Sequence, residues 1–493
     1  MGKIIIRKRD RERVFDVIKT IEQAQQNDCF QIAQQGVEAI INFVDGIYNE
    51  DTETVNLLVK HFEALYKAGL GEVDKEYLDE HLHKIKNTAS IDLKPNHIEM
   101  AFLPHLAACS GALETIYFAA DKDPGCDAYW VPIPTFLGNN TKNIFYQGQE
   151  HYPSIPCVPW EEYNIKERRP DAIFVFFAYE RSATIRVFDE FLCENLKNLT
   201  DMLVFVPYYV DIDEYSFLND VILSHACFYH IHKAIVGTKT QLDIILSTRK
   251  KILMQDLEII KNIKNIDEKA IADNLTEYLE NFDKKFVALG SPMYDKAITA
   301  TKQQLPKEWE SKIKDKKVIV YASSVGSVAT NEDYLKKVIY ILSTFEKRRD
   351  VVLWFRPHPY MELHFHGERL NMYTKLINEY ISSGFGIYDD TSDLYRAIAW
   401  GDGLYSDPSS VLLLYQATGK PVMMANNCGA ELHKKMKAGC NQIGGFRFED
   451  ETDTLERFID DVLNYDSSNI RPTIAPNIGE NIYNYIKSAI NED

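Results

Sequence analysis

Short apolar runs alternate with stretches of helical spacing along most of this chain, in two separate series. Such alternation predicts a parallel β-sheet, because each parallel strand needs a crossover, usually a helix, before the next strand begins. The first series occupies residues 98–103, 128–133, 172–177, 203–206, 234–236 and 286–289, and the second occupies 318–321, 351–355, 386–388, 403–405 and 422–424. We therefore expect an α/β chain with two open parallel sheets.

The domain organisation follows from where these series begin and end. At 493 residues the chain is too long for one ordinary hydrophobic core. Ahead of the first series, apolar positions from Val14 to Ile85 keep the spacing of amphipathic helices, and turn residues at 88–95 end that pattern. The predicted parts are a helical N-terminal module over 1–93, a Rossmann-like domain over 94–300, and a second Rossmann-like domain over 301–493. We expect a hinge just beyond residues 290–292.

The helical module contains no strand that could join either sheet. We therefore expect it to mediate docking or assembly, for example by forming a homo-oligomer. Lys and Arg number 55 against 73 Asp and Glu, a net charge of −18 that disfavours nucleic acid as a partner. Residues 3–13 reverse that sign. This basic start is compatible with a solvated helix start or with peripheral contact at a membrane surface.

Two features predict a cytoplasmic protein. The basic residues at 3–13 are in addition compatible with peripheral contact at the inner face of the cell membrane. No stretch approaches the roughly 20 apolar residues that a spanning helix needs. The eight cysteines form no C-x-x-C pair, which argues against a zinc ribbon and a disulfide framework and fits a reducing compartment.

The strongest local motif is the strand 351–355 followed by Arg356, Pro357 and His358. A guanidinium offers a planar fork to two phosphate oxygens, and an imidazole donates a hydrogen bond or a proton near neutral pH. Because both residues follow a buried strand, we expect them to contact a phosphate group. The alternative is a rigid surface turn with an ordinary ion pair.

A second motif joins a strand to a helix at Asp407, Pro408, Ser409 and Ser410. We expect Asp407 to be the N-cap of the helix and Pro408 its first residue. The N–H groups and hydroxyls of the two serines would then form a phosphate cradle. Ser323 and Ser324, which follow the first strand of the second series, are expected to approach the same ligand closely.

Acidic and histidine clusters receive a structural interpretation. Three carboxylates at 389, 390 and 393 could bind a divalent metal, but helix capping by Thr391 or Ser392 explains most of them. The H-x-H pairs at 230/232 and 364/366 lack a third ligand at a compelling spacing. We therefore predict no metal site and no cofactor.

Several stretches resemble the CDP-glycerol glycerophosphotransferase family, which includes teichoic-acid polymerases. The resemblance covers roughly residues 97–430 and is most specific in the second half. The stretches that carry it are F-L-P-H-L (102–106), L-E-T-I-Y-F-A-A (113–120), D-A-Y-W-V-P-I-P (127–134), L-G-S-P (289–292), R-P-H-P (356–359), G-I-Y-D-D-T-S-D-L-Y-R-A-I-A (386–399), S-D-P-S-S-V (406–411) and Y-Q-A-T-G-K-P-V (415–422).

The resemblance implies a fold of the GT-B type, with 94–300 as the acceptor-side domain and 301–493 as the nucleotide-binding domain, and a specific reaction. A CDP-activated donor would transfer its polyol phosphate to the hydroxyl of a polyol or glycan acceptor, with release of CMP, in the biosynthesis of a cell-surface polymer or glycan. The family's catalytic histidine corresponds to His358, with Arg356 beside it, and its D-x-S-S element to Asp407, Ser409 and Ser410. The W-H-G-T-P-L-K stretch of the polymerases, whose histidine is taken as the general base, does not occur in this sequence.

That departure leaves the base open. His105, just past the first strand, is the best placed candidate for a proton acceptor, and a satisfied interdomain histidine is the alternative. Two other functions are compatible with the same sequence. One is a GT-B glycosyltransferase that uses a nucleotide sugar, and the other is a non-catalytic nucleotide-binding or scaffold protein.

Overall fold

The structure, a computed structural model, describes residues 5–47, 52–138, 142–182, 185–210, 225–261, 281–324, 333–358, 361, 365–426, 447–466 and 470–492. The chain divides into two compact units. The first comprises residues 1–100, 120–129 and 165–171, and the second comprises 101–119, 130–164 and 172–493.

Helices dominate the first unit, as the sequence predicts. They are α1 (Lys8–Gln26), α2 (Phe30–Ile47), α3 (Glu53–Gly69) and α4 (Lys75–Asp92). Thr52 and Asp74 cap α3 and α4 by accepting hydrogen bonds from the N–H groups of Val55 and Tyr77. The apolar faces of all four helices share one core, which buries Ile18, among others, completely.

The basic start of the chain is engaged in ion pairs within this unit. The guanidinium of Arg7 contacts the carboxylates of Glu99 and Asp127. Glu99 is only 1% exposed, and it also accepts from Arg168 Nε at 2.7 Å, while Arg9 lies 3.7 Å from the same carboxylate. The solvated helix start is therefore wrong for Arg7 and Arg9. These pairs also cross position 93, where the sequence places the end of the helical module.

The first series of strands forms a six-stranded sheet in the order β2-β1-β5-β7-β8-β9. Its strands are β1 (Ile98–Phe102), β2 (Cys126–Trp130), β5 (Ala172–Val175), β7 (Met202–Phe205), β8 (Lys233–Val236) and β9 (Phe286–Ala288). β2 ends at Trp130, before the predicted limit of 133, although the N–H groups of Val131 and Ile133 still donate to the carbonyls of Phe102 and Pro104. The pairs from β5 to β9 are parallel.

Shorter elements surround this sheet. A three-stranded antiparallel sheet, which the sequence reading missed, contains β3 (Thr135–Leu137), β4 (Ile144–Phe145) and β6 (Ile185–Val187). The helices are α5 (Glu114–Lys122), α6 (Trp160–Tyr163), α7 (Ile165–Arg168), α8 (Cys193–Leu196), α9 (Cys227–His230), α10 (Lys239–Lys261) and α11 (Pro292–Ile298).

The second series forms a six-stranded parallel sheet in the order β12-β11-β10-β13-β14-β15. Its strands are β10 (Lys317–Ala322), β11 (Val351–Arg356), β12 (Gly386–Tyr388), β13 (Gly403–Ser406), β14 (Val422–Met424) and β15 (Arg447–Phe448). The helices are α12 (Lys307–Ile313), α13 (Tyr334–Lys347), α14 (Gly367–Ser383), α15 (Leu394–Trp400), α16 (Ser410–Ala417), α17 (Leu455–Asn464) and α18 (Ile478–Glu492). Strand β11 is buried along its whole length, as expected for a central parallel strand.

The predicted α/β fold class is confirmed: two six-stranded, Rossmann-like parallel sheets follow a helical N-terminal segment. Among the helices that the structure describes, none is both long enough and apolar enough to cross a membrane.

Candidate active site

The strand order of the second sheet reverses between β10 and β13. Strands β10, β11 and β12 succeed one another towards one edge, whereas β13, β14 and β15 succeed one another towards the other. In open α/β sheets, ligands commonly bind at the carboxyl ends of the strands where the order reverses, and we call this place the β10–β13 crevice. Ser323 and Ser324 follow β10, and Ser409 and Ser410 follow β13, so all four serines lie near these two strand ends.

Hydrogen bonds join the loops after β10, β11 and β13. The N–H of His358 donates to Ser323 Oγ at 3.1 Å, and the N–H of Ser323 donates to the carbonyl of Arg356 at 3.2 Å. The N–H of Ser324 donates to Asp407 Oδ2 at 3.1 Å. The structure thus brings Ser323, Ser324, His358 and Asp407 together at one edge of the sheet.

Asp407 is a fully buried link between these loops. Its carboxylate accepts from the hydroxyl of Tyr321 at 3.3 Å and pairs with the ammonium of Lys337 on α13. That ammonium also lies 5.4 Å from the ring centroid of Tyr321. The expected N-cap role of Asp407 is wrong, because Ser409 occupies the N-cap position of α16. Asp407 instead fixes the loop through partners far away in the sequence.

The serines before α16 have different surroundings. The N-cap Ser409 makes no side-chain capping bond, and its hydroxyl lies 3.4 Å from that of Ser406. Ser410 Oγ accepts from the N–H of Val210, which follows β7 of the first sheet, at 3.1 Å. The start of α16 therefore touches the segment beyond β7, within the second unit.

Arg356 is 6% exposed, and its guanidinium is hydrogen-bonded to other groups of the protein. Nη1 donates to Asp389 Oδ2 at 2.7 Å, and Nη2 donates to the carbonyl of Thr391 at 2.6 Å. Burial lowers the pKa of Arg356, and the charge of Asp389 opposes that shift. The same carboxylate accepts from Trp354 Nε1 at 3.0 Å. The ion pair that the sequence left as the alternative is present, in a buried form.

The three aspartates after β12 have different surroundings and different roles. Asp389 is completely buried, whereas Asp390 is exposed. Asp393 is the N-cap of α15 and accepts from the N–H of Arg396 at 3.1 Å. Capping therefore explains Asp393, but the capping residue is Asp393 itself rather than Thr391 or Ser392. Among the residues in the described ranges, no cluster of three or more His, Cys, Asp or Glu could hold a metal ion.

His105 lies past the end of β1 and is 3% exposed. Its ring centroid lies 4.8 Å from that of Phe176 and 4.4 Å from that of Phe177. Burial lowers the pKa of His105 to about 3, because the protonated ring would lose its hydration among apolar groups. The ring is therefore neutral at pH 7 and a weak proton acceptor.

The pair at 230/232 does not lie on one strand. His230 ends α9, and His232 precedes β8 and accepts from the N–H of Leu203 at its Nδ1 atom, at 2.8 Å. Burial lowers the pKa of both rings. His366 is the exposed residue before α14, and His364 lies outside the described residues.

Three contributors to this region were missed by the sequence reading. Asp389 directly follows a strand, so the rule that favoured Arg356 also applied to it. Lys337 gave no signal, since it lies within an ordinary amphipathic helix and meets Asp407 70 positions away. Val210 contributes only its backbone N–H, and the identity of its side chain does not predict such a contact.

No family model and no curated protein matches the chain. Among solved structures, it is similar to a putative UDP-N-acetylglucosamine 2-epimerase from Listeria monocytogenes, with a TM-score of 0.48, 12% identity, and coverage of 80% of this chain and 98% of that one. The Methanocaldococcus jannaschii UDP-GlcNAc 2-epimerase gives a TM-score of 0.46 at 12% identity, covering 79% and 99%. The wall teichoic acid polymerase TagF gives 0.39 at 14% identity, covering 89% and 98%. At these levels of identity and structural agreement, no activity passes from these proteins to this chain.

Proposed function

We propose that this chain is a transferase that moves a polyol phosphate from a CDP-activated donor to an acceptor hydroxyl, in the biosynthesis of a cell-surface polymer or glycan. The acceptor oxygen forms a bond to the β-phosphorus of the donor, and the bond between that phosphorus and the bridging oxygen breaks. CMP leaves with the bridging oxygen, and the hydroxyl proton passes to a base.

The observation that carries the proposal is the convergence of small polar residues at the strand-order reversal of the second sheet. Ala322 and Ser406, the last residues of β10 and β13, are partners in register. Ser323 and Ser324 follow the end of β10, and Ser409 stands three residues after the end of β13. The hydroxyls of these serines suit the oxygens of a diphosphate, and the start of α16 adds backbone N–H groups and the positive end of a helix dipole. The preference for cytidine rests on the motif resemblance at 356–358 and 407–410.

His358 is the side chain that we assign to the reacting phosphate. It follows β11, which neighbours β10, and its backbone is hydrogen-bonded to Ser323. The burial of His105 makes that ring a poor base, so His358 is also the better candidate for the proton acceptor. Arg356 faces Asp389 and Thr391, so we propose that it positions the His358 loop rather than binding phosphate itself.

A turnover assay tests the proposal. CMP release is measured from CDP-glycerol and CDP-ribitol with polyol and glycan acceptors, beside nucleotide sugars, with and without EDTA. We expect release from a CDP-polyol that persists in EDTA, because the proposed site stabilises charge without a metal. His358→Ala should lower kcat far more than it weakens CDP binding, since the group acts on developing charge. The exposed His366→Ala is the matched control.

The outcomes separate the alternative functions. Turnover of a nucleotide sugar, without turnover of CDP-polyols, would replace the proposal by glycosyl transfer. Nucleotide binding without turnover of any donor would indicate a non-catalytic nucleotide-binding protein. Activity that is abolished by EDTA and restored by Mg²⁺ would mean that the carboxylates after β12 hold a metal.

Location and assembly are part of the same proposal. The described cysteines are all free thiols, which supports a cytoplasmic location. Val59, Phe62 and Tyr66 on α3 are 45%, 37% and 62% exposed and repeat at helical spacing, which supports docking or assembly through the helical segment. Sedimentation of the intact chain with and without lipid vesicles measures both the oligomeric state and any peripheral membrane contact.

A further inference from the structure

A second concave site lies at the carboxyl ends of the last three strands of the first sheet. Its volume is about 50 Å³, room for a few water molecules or a small polyol, and the loops that follow β7, β8 and β9 form its walls. The strand order of this sheet reverses between β1 and β5, so the cavity is not at the reversal. His105, after β1, is not among its lining residues.

The lining is uncharged and partly polar. None of the described residues that line the cavity is acidic, basic or a histidine. Tyr209 and Tyr294 contribute aromatic rings with hydroxyls, while Thr238 and Gln241 contribute further polar groups. Gln241 Oε1 accepts from the N–H of Gly237 at 2.8 Å, which holds that amide in place. An anion would find no compensating cation here, whereas a neutral molecule with hydroxyl groups would find hydrogen-bonding partners and rings to stack on.

Ser291 is the residue that points to a ligand. It lines the cavity, is 8% exposed, and its hydroxyl has no hydrogen-bond partner in the described part of the chain. Ser291 occupies the N-cap position of α11, where a serine usually accepts from the helix, yet it makes no such bond. A buried hydroxyl without a partner destabilises the folded state, and a ligand hydroxyl in the cavity would supply the missing hydrogen bond.

The cavity adjoins the candidate active site through one residue. Val210 lines the cavity, and its N–H donates to Ser410 Oγ at the start of α16. Since α16 begins at the crevice where we place the diphosphate, a molecule in the cavity would lie on the neighbouring side of the Val210–Ser410 contact. This position suits the second substrate of a transfer reaction.

We propose that this cavity binds a neutral, hydroxyl-bearing unit of the acceptor, a small polyol, with Ser291 as a direct hydrogen-bonding partner. Identifying the bound molecule as the acceptor rests on the proposed function. Binding of the molecule can be tested independently, because it requires neither a nucleotide nor turnover.

Saturation-transfer NMR on the full chain, without nucleotide, tests the binding. The probes are glycerol, ribitol and N-acetylglucosamine, with glycerol 3-phosphate as the anionic counterpart. We expect transfer to at least one neutral probe and weaker transfer to the anion. Ser291→Ala should weaken the affinity about three- to tenfold, the loss expected for one hydrogen bond. Tyr294→Phe is the second variant, and Ser247→Ala on the exposed face of α10 is the matched control.

The proposal is overturned if no neutral probe binds, or if both cavity variants bind as well as the wild type. Tighter binding of glycerol 3-phosphate that is lost in Ser291→Ala would also overturn it, since the site would then be anionic in preference. Failure of CMP release with intact polyol binding would remove the transferase proposal and leave the cavity assignment standing. Each variant is first compared with the wild type by thermal unfolding, and Tyr294→Phe replaces Ser291→Ala if the latter is unfolded.

Discussion

The two buried carboxylates of the second sheet have complete sets of partners. Asp389 accepts from Trp354 and Arg356, and Asp407 accepts from Tyr321 and pairs with Lys337. Removing an ion from water costs several kcal/mol, so each carboxylate is tolerated only because cations and N–H donors surround it. Their role is to hold the loops after β10, β11 and β13 in one arrangement.

Asp389→Ala is predicted to lower the free energy of unfolding by about 3 to 5 kcal/mol, because Arg356 would remain buried without a counter-charge. Urea unfolding followed by circular dichroism measures the change. Asp390→Ala is the matched control and should change stability by less than about 0.5 kcal/mol, since that side chain is exposed. Equal effects of the two substitutions would contradict the structural role assigned to Asp389.

Arg7 connects α1 to the strands of the first unit. Arg7→Ala removes the cation from Glu99, which is 1% exposed, and from Asp127. Arg168 and Arg9 remain near Glu99, so we expect a loss of about 2 to 3 kcal/mol rather than the full cost of an isolated buried charge. Arg11→Ala, one helical turn away, provides the control in the same urea titration. An unchanged midpoint in Arg7→Ala would mean that the pairs contribute nothing to stability.

At the scale of elements, α3 and α4 meet through a stacked histidine pair. The rings of His61 and His81 are 5.4 Å apart and differ by 1° in orientation. His61 is completely buried, and its Nε2 donates to Gln25 Oε1 at 3.3 Å. Burial, followed by the charge of His81, lowers the pKa of His61 to about 4. Burial lowers the pKa of His81, and the charges of Lys84 and Lys60 lower it further.

This pair predicts how stability depends on pH. Between its ordinary value of about 6.5 and its native value of about 4, His61 binds a proton in the unfolded chain but not in the folded one. The stability is therefore fully present above about pH 6.5 and is lost as the pH falls towards 4, by at most about 1.4 kcal/mol per pH unit. His61→Gln should reduce this slope in urea titrations at pH 7, 6 and 5. The exposed His83→Gln serves as the control, and an identical slope in His61→Gln would exclude the pair as the cause.

The sequence was a good guide to elements whose pattern is local. Strands β10 to β14 of the second sheet are apolar runs because both of their faces are buried, and the sequence predicts the bounds of each to within one residue. Strand β15, with two residues, is too short to carry a pattern. The error at Asp407 has a different origin. Asp-Pro before a helix satisfies every local capping rule, but Lys337 and the N–H of Ser324 compete for the same carboxylate, and neither is visible from the local sequence.

At the scale of the whole molecule, a net charge of −18 repels any nucleotide, so binding depends on groups gathered at one place. The ends of β10 and β13 bring together serine hydroxyls and the start of α16, and Lys337 neutralises the charge of Asp407. The proposed location of the nucleotide site follows from the order of the strands, which the sequence predicts in general terms. The buried ion pair of Arg356 could not be predicted, because its partner Asp389 follows a different strand.

The nucleotide preference is tested on the intact molecule by thermal unfolding. A ligand that binds only the folded state stabilises it by RT ln(1 + [L]/Kd), about 2.7 kcal/mol at a hundredfold excess over Kd. We expect CDP and CMP to raise Tm by a few degrees and more than UDP or ADP do at equal concentration. Ser409→Ala should reduce the shift with CDP, because its hydroxyl stands at the start of α16, whereas the control Ser247→Ala should retain it in full. A larger shift with UDP would favour nucleotide-sugar transfer, and an unchanged shift in Ser409→Ala would place the nucleotide away from the β10–β13 crevice.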